Sequence, residues 1–530
     1  MLSFRGLCSC LPQSFPLGMS LLGLLAAATG RLQAQAPAAY PPPKNVGDPA
    51  QLGLSIQRTM ALLASSTPQH RNTVRILFYG QSITEQDWWH DVAADLKQRF
   101  PNADLHIENR ALGGFSSQLL VKTAEADLYP FYPDLMIFHV YGAHNDYEDI
   151  IRRTRERTTA EVLIQTDHVT KDEDLNEETD PAKLRPDGKI WNSFMNYLHL
   201  PTVAKKYGCG LVDQRNLWKQ YLRDYHVPAA QLLKDGVHQN AYGNYLMSEL
   251  VKAYLVRRKD TPIDPMNCDT VHTYTIGKDA HWKNGKLMLP FEGNRVDLIA
   301  GDVKAKNQNK DKDKKQDKNN ASGAERASGA EVRIDGKIPS TIPQLYQFTP
   351  ALSTPGSKWP VILKLGWEKP LLLEEWTLDV TKDPVDPKLF TFTLSGSKTG
   401  ADGEGRSDQR FVSKSGRIVI EPKDWNVEYS LALPGIKPVP DKLMVHWKVV
   451  PYYRDTFSAS GESDDKSDNK SGNKADNKSD KSADKTMETV VTVAQGLVNG
   501  KHTLEISGNP STPLTAIRIY RPPVASTEPK

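Results

Sequence analysis

Cysteine is nearly missing from this chain: four occur in 530 residues. Cys8 and Cys10 lie ahead of an N-terminal apolar stretch, which leaves Cys209 and Cys268, too few for a disulfide framework. The two could pair in an oxidising compartment, but Cys209, between two glycines and ahead of an apolar run, reads as a buried, inert thiol. An excess of one charge is missing too. With 67 basic and 64 acidic residues the net charge is +3, which gives no field to steer nucleic acid, and no basic stripe with interleaved aromatics marks a groove for it. After the N-terminus no apolar run is long enough to cross a bilayer, so stable membrane insertion is not expected. Zinc spacings of the C-x-x-C or H-E-x-x-H kind are absent as well.

What is present begins with an export signal. Arg5 supplies positive charge, residues 16–30 are mostly small and apolar, and Leu32-Gln33-Ala34-Gln35-Ala36 offers cleavage after Ala34 or Ala36. Residues 1–36 are therefore expected to be a signal peptide, and the mature chain to be secreted or periplasmic. Residues 37–70 read as a Pro- and Ala-rich tether followed by a lead-in helix.

From residue 71 to 258, strand-like runs (74–79, 104–109, 134–140, 161–165, 210–213) alternate with helical patterns (85–99, 116–126, 146–157, 190–207, 241–257). Such alternation means an α/β unit: a parallel sheet with helices on both faces and its site outside the C-terminal strand edge. After a linker at 259–275, region 276–525 is rich in short strand-like runs, among them 295–299, 331–334, 359–365, 375–380, 389–394, 443–450, 489–493, 502–506 and 514–520. Asp335-Gly336 and Asn499-Gly500 supply turn signals between some of them, as in hairpins, and the whole argues a β-sandwich. Two tracts in this region, 304–330 and 458–485, are rich in Lys, Asp, Asn and Ser with almost nothing apolar, and are expected as disordered insertions.

The first strand ends in Gly80-Gln81-Ser82. A serine where a helix is about to begin reads first as an N-cap, so its meaning depends on partners. They occur at the ends of other elements. The second strand runs into Gly113-Gly114, the third into Tyr141-Gly142-Ala143-His144-Asn145, and Asp235-Gly236-Val237-His238 precedes the last helix. Together these supply acyl-transfer chemistry. His238 can take the Ser82 proton and Asp235 can orient the imidazole, while the N–H groups of Ser82 and Gly114 and the Asn145 amide can stabilise an oxyanion. Gly80-Gln81-Ser82-Ile83-Thr84 lacks the second glycine of a G-x-S-x-G elbow, which argues against the α/β-hydrolase family. His139, His144 and His168 gather near one sheet edge; His144, Asp167, His168 and Gln81 are candidates for lining a substrate pocket.

This ordered set resembles the SGNH (GDSL-type) esterase and lipase family over residues 74–257. Ser82 falls on the family's nucleophile, Gly114 on its block II glycine, Asn145 on its block III asparagine, and Asp235 and His238 on its D-x-x-H block. The resemblance implies a flavodoxin-like three-layer α/β/α sandwich and ester hydrolysis through an acyl-serine, without metal or cofactor. Gln81 replaces the family's aspartate, a start similar to that of some carbohydrate acetylesterases. Ala143 takes an expected glycine place ahead of Asn145. The expected substrate is an acetylated polysaccharide or glycoconjugate; the alternative is a weakened SGNH domain in a carbohydrate-binding or cell-surface protein.

Overall fold

The computed structural model describes residues 40–300, 329–353, 357–457, 489–508 and 514–526. The expected signal peptide, the second expected insertion and all but the last two residues of the first lie outside the described residues. The chain divides into two compact units, Met1–Pro41 and Pro42–Lys530, and every element below belongs to the second.

Helix α1 (Gln57–Ser65) leads into β1 (Thr73–Gly80), α2 (Trp88–Arg99), β2 (Asp104–Asn109), α3 (Ser117–Asp127), β3 (Leu135–His139), α4 (His144–Arg157) and β4 (Glu161–Gln165). A long connection, short α5 (Trp191–Phe194), a π turn and α6 (Leu200–Tyr207) precede β5 (Gly210–Val212), α7 (Gln214–Tyr225) and α8 (Ala241–Tyr254). The five strands pair in parallel in the order β2-β1-β3-β4-β5, which is the flavodoxin-like order. The order reverses beside β1, so a crevice opens at the C-terminal ends of β1 and β3.

Burial on both faces explains the near-continuous apolar strands. On one face Leu77 and Tyr79 share a core with Phe115 and Leu120 of the α3 side and Tyr147 and Ile151 of α4. On the other, Phe78 meets Trp88 of α2 edge-on at 5.5 Å, and α2 packs along α8. At the opposite end of the sheet, the Glu161 carboxylate accepts the N–H groups of Arg58 and Thr59 at 2.8 and 2.7 Å. That anchors the first turn of α1, where a negative charge suits the helix dipole.

The C-terminal part consists of antiparallel sheets, as a β-sandwich region requires, but it has two cores rather than one. The outer sheet uses β6 (Val271–Thr275), β7 (Trp282–Lys283), β8 (Lys286–Ala300) and β9 (Ala330–Ile334). The chain then leaves it to form β10 (Tyr346–Phe348), β11 (Glu375–Lys382), β12 (Phe390–Gly396), β13 (Gly400–Arg406), β14 (Phe411–Val412), β15 (Val419–Ile420), α9 (Val427–Ala432) and β16 (Lys442–Pro451). It returns as β17 (Thr456–Phe457), β18 (Thr489–Ser507) and β19 (Leu514–Tyr520). The inner module, with sheet order β10-β16-β11-β12-β13, has its own core around Trp376, Phe392 and Trp447. The outer sheet is dominated by the β8–β18 ribbon. Register shifts near Thr492 and between Gln495 and Gly500 bend that ribbon, and Leu289, Phe291, Val296 and Leu298 from both of its halves enter one core.

Several expectations change here. The stretch expected as a linker, 259–275, contains β6, which pairs along β19. Ala330, expected to end an insertion, begins β9. Runs 489–493 and 502–506 are one strand, with Asn499 at the end of a bulge over 496–499 rather than in a turn; Asn499 Nδ2 donates to the carbonyls of Pro522 and Val524, at 3.0 Å each. Asp335-Gly336 does turn, with φ 52° and 75°. Residues 359–365 form no strand; Ile362 alone among them makes isolated bridges, to Ala351 and Trp425. Cys209 and Cys268 are both free thiols, and burial pushes the Cys209 thiol up to about 12.

Candidate active site

Ser82 is not a helix cap. Helix α2 begins only at Trp88, after a turn in which Thr84 and Glu85 donate their N–H groups to the Gln81 carbonyl at 2.8 and 3.2 Å. The expected placement at a helix N-terminus is thus corrected: five residues, 83–87, intervene, and the Ser82 side chain caps no helix. Gly80 lets β1 end this way. A side chain there would collide with the His139 carbonyl of neighbouring β3.

The partner arrives from the loop before α8. Lys234 N–H donates to the His238 carbonyl at 2.9 Å, and Asn240 N–H to the Leu232 carbonyl at 3.1 Å. Asn240 also caps α8 by accepting from Tyr242 and Gly243 at 2.9 and 3.2 Å. The closed loop presents His238 Nε2 at 2.9 Å from Ser82 Oγ, while Nδ1 lies 2.9 Å from Asp235 Oδ2. The other Asp235 oxygen accepts the N–H groups of His238 and Val237 at 2.7 and 2.8 Å. These backbone donors, with the imidazole after them, hold the Asp235 carboxyl well below the usual carboxylate range. A carboxylate so held fixes the tautomer that leaves Nε2 free to accept a proton.

Gly114 follows β2, the strand beside β1, and Asn145 lies in the first turn of α4, after β3 on the other side. Among the described residues no protein acceptor takes the Ser82 or Gly114 N–H. The segment before Asn145 is tied to α3, with Ser117 Oγ donating to the Ala143 carbonyl at 2.9 Å and Ala143 N–H to Gln118 Oε1 at 3.1 Å. Ala143 therefore causes no break there. His144 packs its ring against Phe194 and His199 at 5.4 and 5.3 Å. Burial, with His144 after it, pushes the His199 imidazole down.

His168 is buried. Its Nδ1 meets Asp167 at 3.0 Å and its Nε2 meets the Val237 carbonyl at 2.8 Å, which places it behind the His238 loop. His139 Nε2 reaches the same Asp167 oxygen at 3.3 Å. Burial would raise the Asp167 carboxyl, but His168 and His139 pull it well below its ordinary range. Among the described residues no three His, Cys, Asp or Glu side chains are grouped to hold a metal.

Two site residues escaped the sequence reading. Glu85 Oε1 accepts the Gly113 N–H at 2.9 Å. Gln86 Nε2 donates to the Ser82 carbonyl at 2.9 Å, and its Oε1 accepts from Lys234 at 3.1 Å. Glu85 therefore ties the serine turn to the Gly114 loop, and Gln86 ties it to the His238 loop. Their signal was the polar pair directly after Ser82-Ile83-Thr84, which reads equally well as the exposed start of a helix. The site is open, with the His238 and Asp235 side chains 31% and 50% exposed.

No family model matches the chain, and no curated protein does. Solved structures do. An acetylxylan esterase from Geobacillus stearothermophilus aligns at 15% identity over 36% of this chain and 100% of its own, with a TM-score of 0.30. A GDSL-like lipase from Parabacteroides merdae aligns at 16% identity over 36% and 98%, TM-score 0.29. An alpha/beta hydrolase enzyme from the metagenome of Lake Arreo, Spain, aligns at 20% identity over 34% and 94%, TM-score 0.28. No helix among the described residues is long and apolar enough to cross a membrane.

Proposed function

We propose that this chain is an exported serine esterase of the SGNH kind that removes acyl groups, acetyl above all, from a polysaccharide or glycoconjugate. One observation carries the reading: Ser82 Oγ, His238 and Asp235 stand in hydrogen-bonded sequence, 2.9 Å at each step. Ser82 Oγ attacks the ester carbonyl as its proton passes to His238 Nε2. The Ser82 and Gly114 N–H groups and the Asn145 amide receive the negative charge. Collapse expels the sugar hydroxyl, which takes the proton from His238 and leaves an acyl-serine. Water, deprotonated by the same imidazole, then releases the carboxylic acid.

Substrate class is supported by two features. Gln81 gives the nucleophile turn a start similar to that of some carbohydrate acetylesterases, and a site with Asp235 exposed and Ser82 and His238 half-buried suits an ester on a polymer better than a long acyl chain in a tunnel. The test is purified Ser82→Ala assayed on an aryl acetate and on acetylated polysaccharides. Activity is expected to fall at least about 10³-fold with the melting temperature unchanged. Full activity in the variant, or failure of a serine-reactive phosphonate to label Ser82, would end the proposal.

A further inference from the structure

The Gly113-Gly114 loop has no side chains with which to fix itself, and its two carbonyls are held from the inner β module. Trp359 Nε1–H donates to the Gly113 carbonyl at 2.9 Å, and the Tyr429 hydroxyl donates to the Gly114 carbonyl. In a planar trans peptide the C=O and the following N–H point in opposite directions. A bond that fixes the Gly113 carbonyl therefore also fixes where the Gly114 N–H points, and the Tyr429 bond holds the next peptide plane.

Packing tightens the same contact. The Tyr429 ring lies nearly parallel to Phe115, with centroids 6.0 Å apart, and Lys358 pairs with Glu85, the residue that holds the Gly113 N–H. Gly114 adopts φ +80°, and a Cβ there would lie 2.6 Å from Leu433 Cδ2 and 2.9 Å from the Tyr429 hydroxyl. Only glycine fits under the module. The Gly114 N–H itself stays without a protein acceptor among the described residues.

We propose that Trp359 and Tyr429 are positioning residues for ester hydrolysis: borne by the β module, they aim the Gly114 N–H at the developing oxyanion. This rests on the Ser82 reading above. It also makes the module part of the catalytic centre rather than a detachable accessory.

The experiment uses the full chain with Tyr429→Phe, which keeps its ring, and Trp359→Phe, which puts a phenyl in place of the indole; each deletes one donor. Steady-state kinetics on an aryl acetate, inhibition by a trifluoromethyl ketone and thermal melting are measured together. Removing an oxyanion donor outright costs about 10²–10³ in kcat, so misaiming one is expected to lower kcat by roughly 5–50-fold. KM should stay within about twofold, with the melting temperature nearly constant. The ketone, which forms a tetrahedral oxyanion on Ser82, should lose affinity in parallel with kcat. Unchanged kcat in both variants overturns the proposal, and so does an equal loss of kcat, substrate binding and melting temperature, which would mean a structural prop only. If Trp359→Phe melts early, Tyr429→Phe decides alone, since it deletes a single oxygen. Ser82→Ala runs beside them: its inactivity with unaffected Phe variants removes only this proposal, whereas its activity removes the esterase reading itself.

Discussion

Asp235 performs two jobs with one carboxylate: it orients His238 and, through two backbone N–H groups, shapes the turn that carries it. Asp235→Asn can keep some of those bonds but not the charge, so kcat/KM on an aryl acetate is expected to fall about 10²–10⁴-fold. The pH profile follows from the same bonds. Because the carboxyl is held well below the usual carboxylate range, it stays ionised where an ordinary aspartate takes up its proton, at about pH 4. The pH profile of kcat/KM on an aryl acetate should therefore show no break belonging to Asp235 in that range, and a break there would contradict the assignment. Of these residues, Ser82, Asp235 and His238 were legible because each ends or precedes an element in the order that acyl transfer needs. Glu85 and Gln86 were not, since Glu85 meets a backbone N–H of the Gly113-Gly114 loop and Gln86 the Lys234 side chain of the His238 loop, contacts that no local pattern records.

At the level of elements, the parallel sheet was readable because strand and helix periodicities alternate from β1 to β4. Helix α7 was missed for a physical reason. Leu217, Trp218, Tyr221 and Leu222 keep helical spacing, but polar residues dominate around them, and three of those are buried, Gln214, Arg215 and Lys219. Arg215 earns its burial by pairing with Glu177 and Asp174 at 2.7 and 3.2 Å. Burial would raise the Glu177 carboxyl, but Arg215 and Lys219 pull it down to about 2. A lowered folded-state value means stabilisation that is complete above the unfolded value, about 4.3. It is lost as pH falls from there to about 2. Arg215→Met should therefore cost about 3–5 kcal/mol at neutral pH and flatten the decline in melting temperature over that acid window. Residues 359–365 failed as a strand because their apolar side chains serve two cores: Leu363 joins the core of the α/β part, while Val361, Ile362 and Leu365 join the inner module's. His168 shows the same reach across elements. His168→Phe leaves the Val237 carbonyl and Asp167 short of a partner, which should cost about 1–3 kcal/mol and lower kcat by loosening the His238 loop. Differential scanning and kinetics on one preparation would test both.

Across the whole molecule, the α/β part and the C-terminal sheets are joined by buried chemistry. Tyr132 donates to Asn294 at 2.8 Å, and Asn294 donates back to the Arg157 carbonyl at 2.8 Å. Gln495 donates to the Pro130 carbonyl at 3.0 Å, and Leu363 completes the core beneath α3 and α4. A chain ending at residue 258 would expose that core and lose these partners. It is expected to aggregate or to bind an apolar dye, whereas the full chain should melt in one calorimetric transition. A soluble, fully active fragment would contradict this.

The inner module sits inside the outer sheet, and that order has a consequence during synthesis. The last helix of the α/β part ends at Tyr254, yet the Gly114 loop receives its second prop only at Tyr429. At about 5–20 residues per second of elongation, roughly ten to thirty-five seconds separate the two events. On the proposed reading, the nascent chain for that interval holds Ser82, His238 and Asp235 with the Gly114 N–H not yet aimed, and would be silent until the inner module emerges.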